Sequence, residues 1–112
     1  MKKLKLDEMH KGWFVGPFSP TALFNNACEV AVKKYPAGYK ESAHYHKIAK
    51  EVTLILSGRV YMCNSHWSDG DIIVLEPGEV TSFEACTEAV CVVVKIPGVV
   101  DDKYDATVRE AD

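Results

Sequence analysis

The chain has 112 residues, 47% of them hydrophobic and 26% charged, with a formal net charge of -3, a composition typical of water-soluble globular domains. That length leaves room for a single core burying roughly two-thirds of the unfolded surface and none for a second. The thirteen Lys and Arg are scattered rather than bunched, which argues against nucleic acid or an anionic membrane as the main partner.

The opening stretch MKKLKLDEMHKGWF carries lysines but no uninterrupted apolar segment after them, so it does not read as a signal peptide. No run approaches the roughly eighteen apolar residues of a membrane span, and a cytoplasmic location is expected. Residues 1–26 are irregular, with Gly12, Gly16, Pro17 and Pro20 and one short strand at Trp13–Val15. They are expected to pack on a barrel formed by residues 27–97. From residue 27 the rhythm changes: Cys28, Val30 and Val32 alternate with Glu29, Ala31 and Lys33, the period of a half-buried strand.

Short apolar runs then recur with turn residues between them. The runs 52–56, 60–63, 72–75, 80–85 and 89–96 are separated by Ser57-Gly58, Asn64-Ser65, Pro77-Gly78 and Cys86-Thr87-Glu88. Such spacing, rich in Val, Ile and Tyr, predicts an all-β fold, an antiparallel sandwich or barrel. The loop NSHWSDGD, with His66 and Trp67, reads as a solvated hairpin tip. Residues 98–112 read as a polar tail or short helix lying on the barrel, and Asp101-Asp102 as a solvated pair. Cys28, Cys63, Cys86 and Cys91 form no CxxC pair. Free thiols serving as small apolar residues on strands are therefore expected, not disulfides or a zinc ribbon.

The stretch GYKESAHYHKIAKEVTLILSG, residues 38–58, concentrates the chemistry. Residues two apart on a strand point the same way, so His44 and His46 face one side together. If residues 47–50 form a hairpin loop, Glu51 opens the next strand opposite them. Two imidazoles and a carboxylate at one point form a 2-His-1-carboxylate site, suited to a divalent iron, manganese, nickel or zinc ion. A solvent-facing strand with an edge glutamate is the other reading of these residues.

Gly38, His44, His46, Glu51 and Gly58 are separated by five, one, four and six residues. This resembles the first conserved motif of the cupin superfamily, G(X)5HXH(X)3-4E(X)6G, at every spacing. The resemblance covers about residues 28–97. It implies a small antiparallel barrel, or jelly roll, with a metal inside one end. It also implies activities as varied as dioxygenation, isomerisation and decarboxylation, on small oxygen-rich metabolites. The second motif of that family, G(X)5PXG(X)2H(X)3N, is matched only in part by GDIIVLEPGEVTSFEA, residues 70–85. Gly70 and Gly78 fall at its glycines, Glu76 at its proline and Ala85 at its asparagine. Thr81 stands where the family has its fourth ligand, a histidine. Two outcomes follow: a three-ligand site, or a metal-poor pocket that binds a small molecule or is purely structural. Glu76, Glu79, Cys63 and Cys91 are substitute ligands if strand phase brings them near.

If Glu51 points inward, so do Thr53 and Ile55, while Val52, Leu54 and Leu56 face the other side. An inward Thr81 implies an inward Phe83. A pocket polar at the metal end and lined by Thr53, Thr81 and Phe83 deeper in suits a small-molecule ligand or substrate. Leu54 and Leu56 then need cover, either from Trp13, Phe14 and Phe18 or from a second subunit; the resemblance favours a homodimer. Lys33, Tyr35 and Tyr61 are acid–base candidates only if they face the pocket.

Overall fold

Alternating apolar residues broken by turns give ten short strands among the residues described by this computed structural model, 1–106. They are β1 (Trp13–Val15), β2 (Glu29–Tyr35), β3 (Lys40–Tyr45), β4 (Lys50–Ser57), β5 (Arg59–Met62), β6 (Ser65–Ser68), β7 (Ile72–Leu75), β8 (Thr81–Ala85), β9 (Ala89–Ile96) and β10 (Tyr104–Asp105). A single 3-10 turn spans Leu6–Glu8. The strands form two five-stranded antiparallel sheets, ordered β1-β2-β9-β4-β7 and β10-β3-β8-β5-β6. The sheets face one another as a jelly roll and do not close into one continuous barrel.

The core lies between them. Ile55, Val60, Ala85 and Cys91 are almost wholly buried, with Ile73, Leu75, Phe83 and Val93 around them. Period two decides which residues enter: on β4 Thr53 and Ile55 are buried while Leu56 is exposed, and on β9 Ala89, Cys91 and Val93 are buried. Gly58 makes the β4–β5 turn possible. Its φ is +97°, and a Cβ there would stand 2.2 Å from the Glu88 carbonyl oxygen, which only glycine avoids.

Four expectations are corrected. Residues 47–50 are not a hairpin loop, because β3 and β4 lie in different sheets; the loop crosses between them, and Glu51 faces the histidines across the interior. The NSHWSDGD stretch contains a strand, β6, paired with β5. Trp67 on it packs against the core, and its indole N–H donates to the Met62 carbonyl at 2.8 Å, so of His66 and Trp67 His66 alone is solvated. Asp102 is buried, not a solvated partner of Asp101. Of the four cysteines, all free, only Cys91 is a buried strand residue, and Cys63 is exposed in a turn.

β10 pairs with β3, Tyr104 opposite Tyr45 and Asp105 opposite His44, so this part of the tail lies on the sandwich; its remainder, 107–112, is outside the described residues. Trp13 enters the interior instead of covering Leu54 and Leu56, because β1 pairs with β2 through Trp13 and the inward Ala31. Phe14 lines a shallow outer pocket with Leu4, Leu6, Ala22 and Val32. Leu56, Ile72, Val74 and Ile96 remain more than half exposed on the outer sheet face.

Candidate metal centre and ligand pocket

A cavity of about 310 Å³ opens between the sheets, and His44, His46, Glu51, Thr53, Thr81 and Phe83 all line it. His44, on β3, and His46, just past the strand's last residue Tyr45, both point into it, the same-side placement expected of residues two apart in extended chain. Their ring centroids are 5.9 Å apart.

His46 is held from three directions. Its Nδ1 lies 2.6 Å from the Asp102 carbonyl oxygen, its own carbonyl accepts the Gly78 N–H at 2.7 Å, and its ring is buried. A carbonyl oxygen can only accept, so Nδ1 carries the proton. In the neutral ring Nε2 therefore presents a lone pair, 3.6 Å from Glu51 Oε1. His44 is set the same way, Nδ1 donating to the Ser42 carbonyl at 3.0 Å. Tethering the far imidazole nitrogen in this manner is how proteins orient histidine ligands.

Burial by itself would raise the Glu51 carboxyl. The His46 imidazole facing it, the Lys95 ammonium and His44 outweigh that and hold it below the usual carboxylate range. Lys95 is its direct neighbour in the β4–β9 pair. The donor set thus has the right chemistry for a divalent ion: two imidazoles with free Nε2 atoms and an ionised carboxylate. As the side chains stand, no group of three His, Cys, Asp or Glu among the described residues encloses an ion. His46 and Glu51 face each other, and His44 stands beside them.

Thr81 lies opposite His44 in the β3–β8 pair. Its hydroxyl donates to the Ser82 carbonyl at 2.7 Å and accepts the Cys63 N–H at 3.0 Å. A hydroxyl committed to the backbone in this way ties the end of β8 to the β5–β6 turn, and it does not replace the missing histidine. Of the substitute ligands, Glu76 pairs with Lys50 at the surface at 3.4 Å and Glu79 is exposed. Cys91 does line the cavity, with burial pushing its thiol up to about 11, so it stays protonated.

Several residues in and around the cavity, unlike the candidates Lys33 and Tyr35, carry no signal in their sequence context. Asp102 is the first: its carboxylate accepts the N–H groups of Lys47 (3.0 Å), Ile48 (3.1 and 3.2 Å) and Ala49 (2.8 Å). It thereby pins the crossing loop that separates His46 from Glu51. More than fifty residues separate it from that loop, so no local pattern announces it. Glu41 is the second. Three residues before His44 on a regular strand it would face outward, but the register of β3 shifts between Glu41 and His44, and the bulge turns both inward. Lys11, Lys33, Lys95 and Lys103 also reach the cavity. Lys33 and Lys95 were legible from phase, being two residues beyond the inward Ala31 and Val93. Tyr35 lines the pocket near Phe83, with ring centroids 4.6 Å apart. Burial lifts its phenol above the ordinary value. Tyr61 points away and meets His66 instead.

No protein-family model matches the sequence, and no curated protein is significantly similar to it. Solved structures are similar in fold. The DMSP lyase DddQ from Ruegeria pomeroyi superposes with a TM-score of 0.66 at 19% identity, over 92% of this chain and 55% of that one. An RmlC-like cupin from Shewanella frigidimarina gives 0.64 at 16% identity, over 70% and 73%. An uncharacterised protein with a double-stranded β-helix domain from Klebsiella pneumoniae gives 0.62 at 23% identity, over 66% of each chain. The chain spans two-thirds of that last protein and about half of the lyase. Two facing antiparallel sheets, a cavity between them and these superpositions together show that the chain has the double-stranded β-helix fold of the cupin superfamily.

Proposed function

We propose that this protein holds one divalent metal ion, iron, manganese, nickel or zinc, at His44, His46 and Glu51, and acts on a small oxygen-rich metabolite in the adjoining cavity. The observation that carries the reading is the pair formed by His46 Nε2 and Glu51 Oε1. These atoms face each other across 3.6 Å in a buried site, long for a good hydrogen bond, and need a proton or a cation between them to be reconciled. A cation between them resolves that arrangement. An ion bound there supplies Lewis acidity, polarising a substrate oxygen or activating water.

The chain's own residues do the rest. Asp102 fixes the His46 ring, Tyr35 keeps its O–H proton available to a bound ligand, and Met62, Phe83 and Val93 exclude water from the inner wall. Dioxygenase, isomerase and lyase chemistry all suit such a site, and the fold does not choose among them. The exposed Leu56, Ile72, Val74 and Ile96 support a homodimer formed through the outer sheet face.

Metal content of protein purified without chelators tests the reading. Near-stoichiometric metal should be present, and the His44→Ala, His46→Ala double variant and Glu51→Gln should lose it. Absence of metal, together with a Tm unmoved by added iron, manganese, nickel or zinc, overturns it. The second reading, a metal-poor binding module, is favoured by the incomplete closure of His44 and by the committed Thr81 hydroxyl. It requires a ligand-induced rise in Tm without metal or turnover.

A further inference from the structure

The lysines around the cavity bear on the ligand itself. Lys11, Lys33, Lys95 and Lys103 line it against only two carboxylates, Glu41 and Glu51, in a chain whose net charge is -3. Positive charge is concentrated where the protein as a whole is acidic. One of the four, Lys103, is matched, to Glu41 at 3.4 Å; outside the cavity Lys40 pairs with Glu84 at 3.7 Å and Lys50 with Glu76 at 3.4 Å. Among the described residues Lys33 and Lys95 have no carboxylate within ion-pair distance.

These two are also held in place. Both ammonium groups lie over the Trp13 ring, 5.6 and 4.9 Å from its centroid, and Lys33 Nζ donates to the Lys11 carbonyl at 2.9 Å. Burial lowers the Lys33 ammonium, and the neighbouring charges of Lys11, Lys103 and Lys95 lower it further, against the opposing pull of Glu41. Gathering like charges about one small cavity is costly unless an anion completes it.

We infer that the ligand of this pocket is a small carboxylate-bearing anion, its carboxylate bound by Lys33 and Lys95 beside Trp13 and its oxygen-rich remainder directed at His46 and Glu51. This rests on the cavity being the ligand site proposed above, but not on the metal. A cavity of about 310 Å³ is at the small end for ligand pockets. Its lining residues include no glycine and no helix N-terminus, the elements that cradle a phosphate, which favours carboxylate.

Tartrate and threitol share a four-carbon skeleton but differ in charge, and titrating each into the full chain, metal-loaded and chelator-treated, tests the inference. Tartrate should bind at least tenfold tighter than threitol and than inorganic phosphate. Lys33→Met and Lys95→Met, which keep the apolar stem, should each weaken tartrate about tenfold or more, whereas Lys40→Met should not. Circular dichroism and Tm identify any variant that has failed to fold, and Lys33→Met should keep the metal content of the parent. Equal affinity for threitol, tighter binding of phosphate, no binding of tartrate at millimolar concentration, or folded lysine variants that bind it unchanged would each overturn the inference. Lysine-dependent tartrate binding by protein that takes up no metal would sustain it while refuting the metal reading.

Discussion

Replacing Asp102 by Ala tests the idea that a residue of the C-terminal segment sets the geometry of the candidate metal centre. The Asp102 carboxylate takes three backbone N–H groups of the loop between β3 and β4. Ala49 is almost wholly buried, so its N–H would lose its only charged acceptor at a cost of about 1–2 kcal/mol. Lys47 and Ile48 are exposed and can rehydrate, which limits each to roughly 0.5–1 kcal/mol. The expected loss is about 3 kcal/mol, a sizeable part of the roughly 5–15 kcal/mol that holds a domain together. With an unfolding entropy of roughly 2.1 cal/mol/K per residue over 112 residues, Tm should fall by about 13 °C. Calorimetry measures that fall. Nitrogen NMR of the imidazoles should find His46 still in its Nδ1–H tautomer, because the acceptor is the Asp102 main-chain carbonyl, which alanine keeps. A drop of less than about 4 °C would refute the reasoning. Burial would raise the Asp102 carboxyl, yet the N–H groups of Ala49, Ile48 and Lys47 outweigh it and hold it low. Its contribution is therefore complete above the unfolded value of about 4 and is lost as pH falls through the lower folded one. The stability gap between parent and variant should accordingly close on acidification below about pH 4.

Cys91 supplies a dependence of opposite sign. Its folded value of about 11 lies above the unfolded thiol's roughly 8.5. The stability it contributes is present below about pH 8.5 and is lost as pH rises toward 11, a slope that Cys91→Ala should flatten in denaturant titrations. In the native protein at neutral pH, mass spectrometry after alkylation should find the exposed Cys63 modified and Cys91 untouched until the chain unfolds. Leu56→Lys, placed on the outer face where Leu56 is 56% exposed, should convert a dimer to a monomer by light scattering while changing Tm little at equal low concentration. A parent chain that is already monomeric would refute the dimer. Ile55→Ala, at a fully buried site, should cost about 2–4 kcal/mol by urea denaturation; a cost below about 1 kcal/mol would mean that the core is not packed as described.

Local chemistry determined much of this protein. Alternation on residues 27–33, the turn pairs at Ser57-Gly58 and Pro77-Gly78, and the two-residue spacing of His44 and His46 are all short-range, so strands and the shared direction of the histidines were legible without coordinates. The inward face of β2 was not: Glu29 and Ala31 are buried there, and Val30 and Val32 only partly. The inward set Thr53, Ile55, Thr81 and Phe83 follows from period two once one member is placed, and all four are buried. Local pattern could not say which sheet a strand joins. His46 and Glu51 are five residues apart, yet they meet across the gap between two sheets because the intervening loop changes sheets. Nor could it show a bulge that rotates Glu41 inward, a tryptophan from the N-terminal segment entering the cavity, or Asp102 closing on a loop more than fifty residues away. Each of those depends on contacts made only when distant segments pack, and they decide the orientation of His46 and the charge of the pocket.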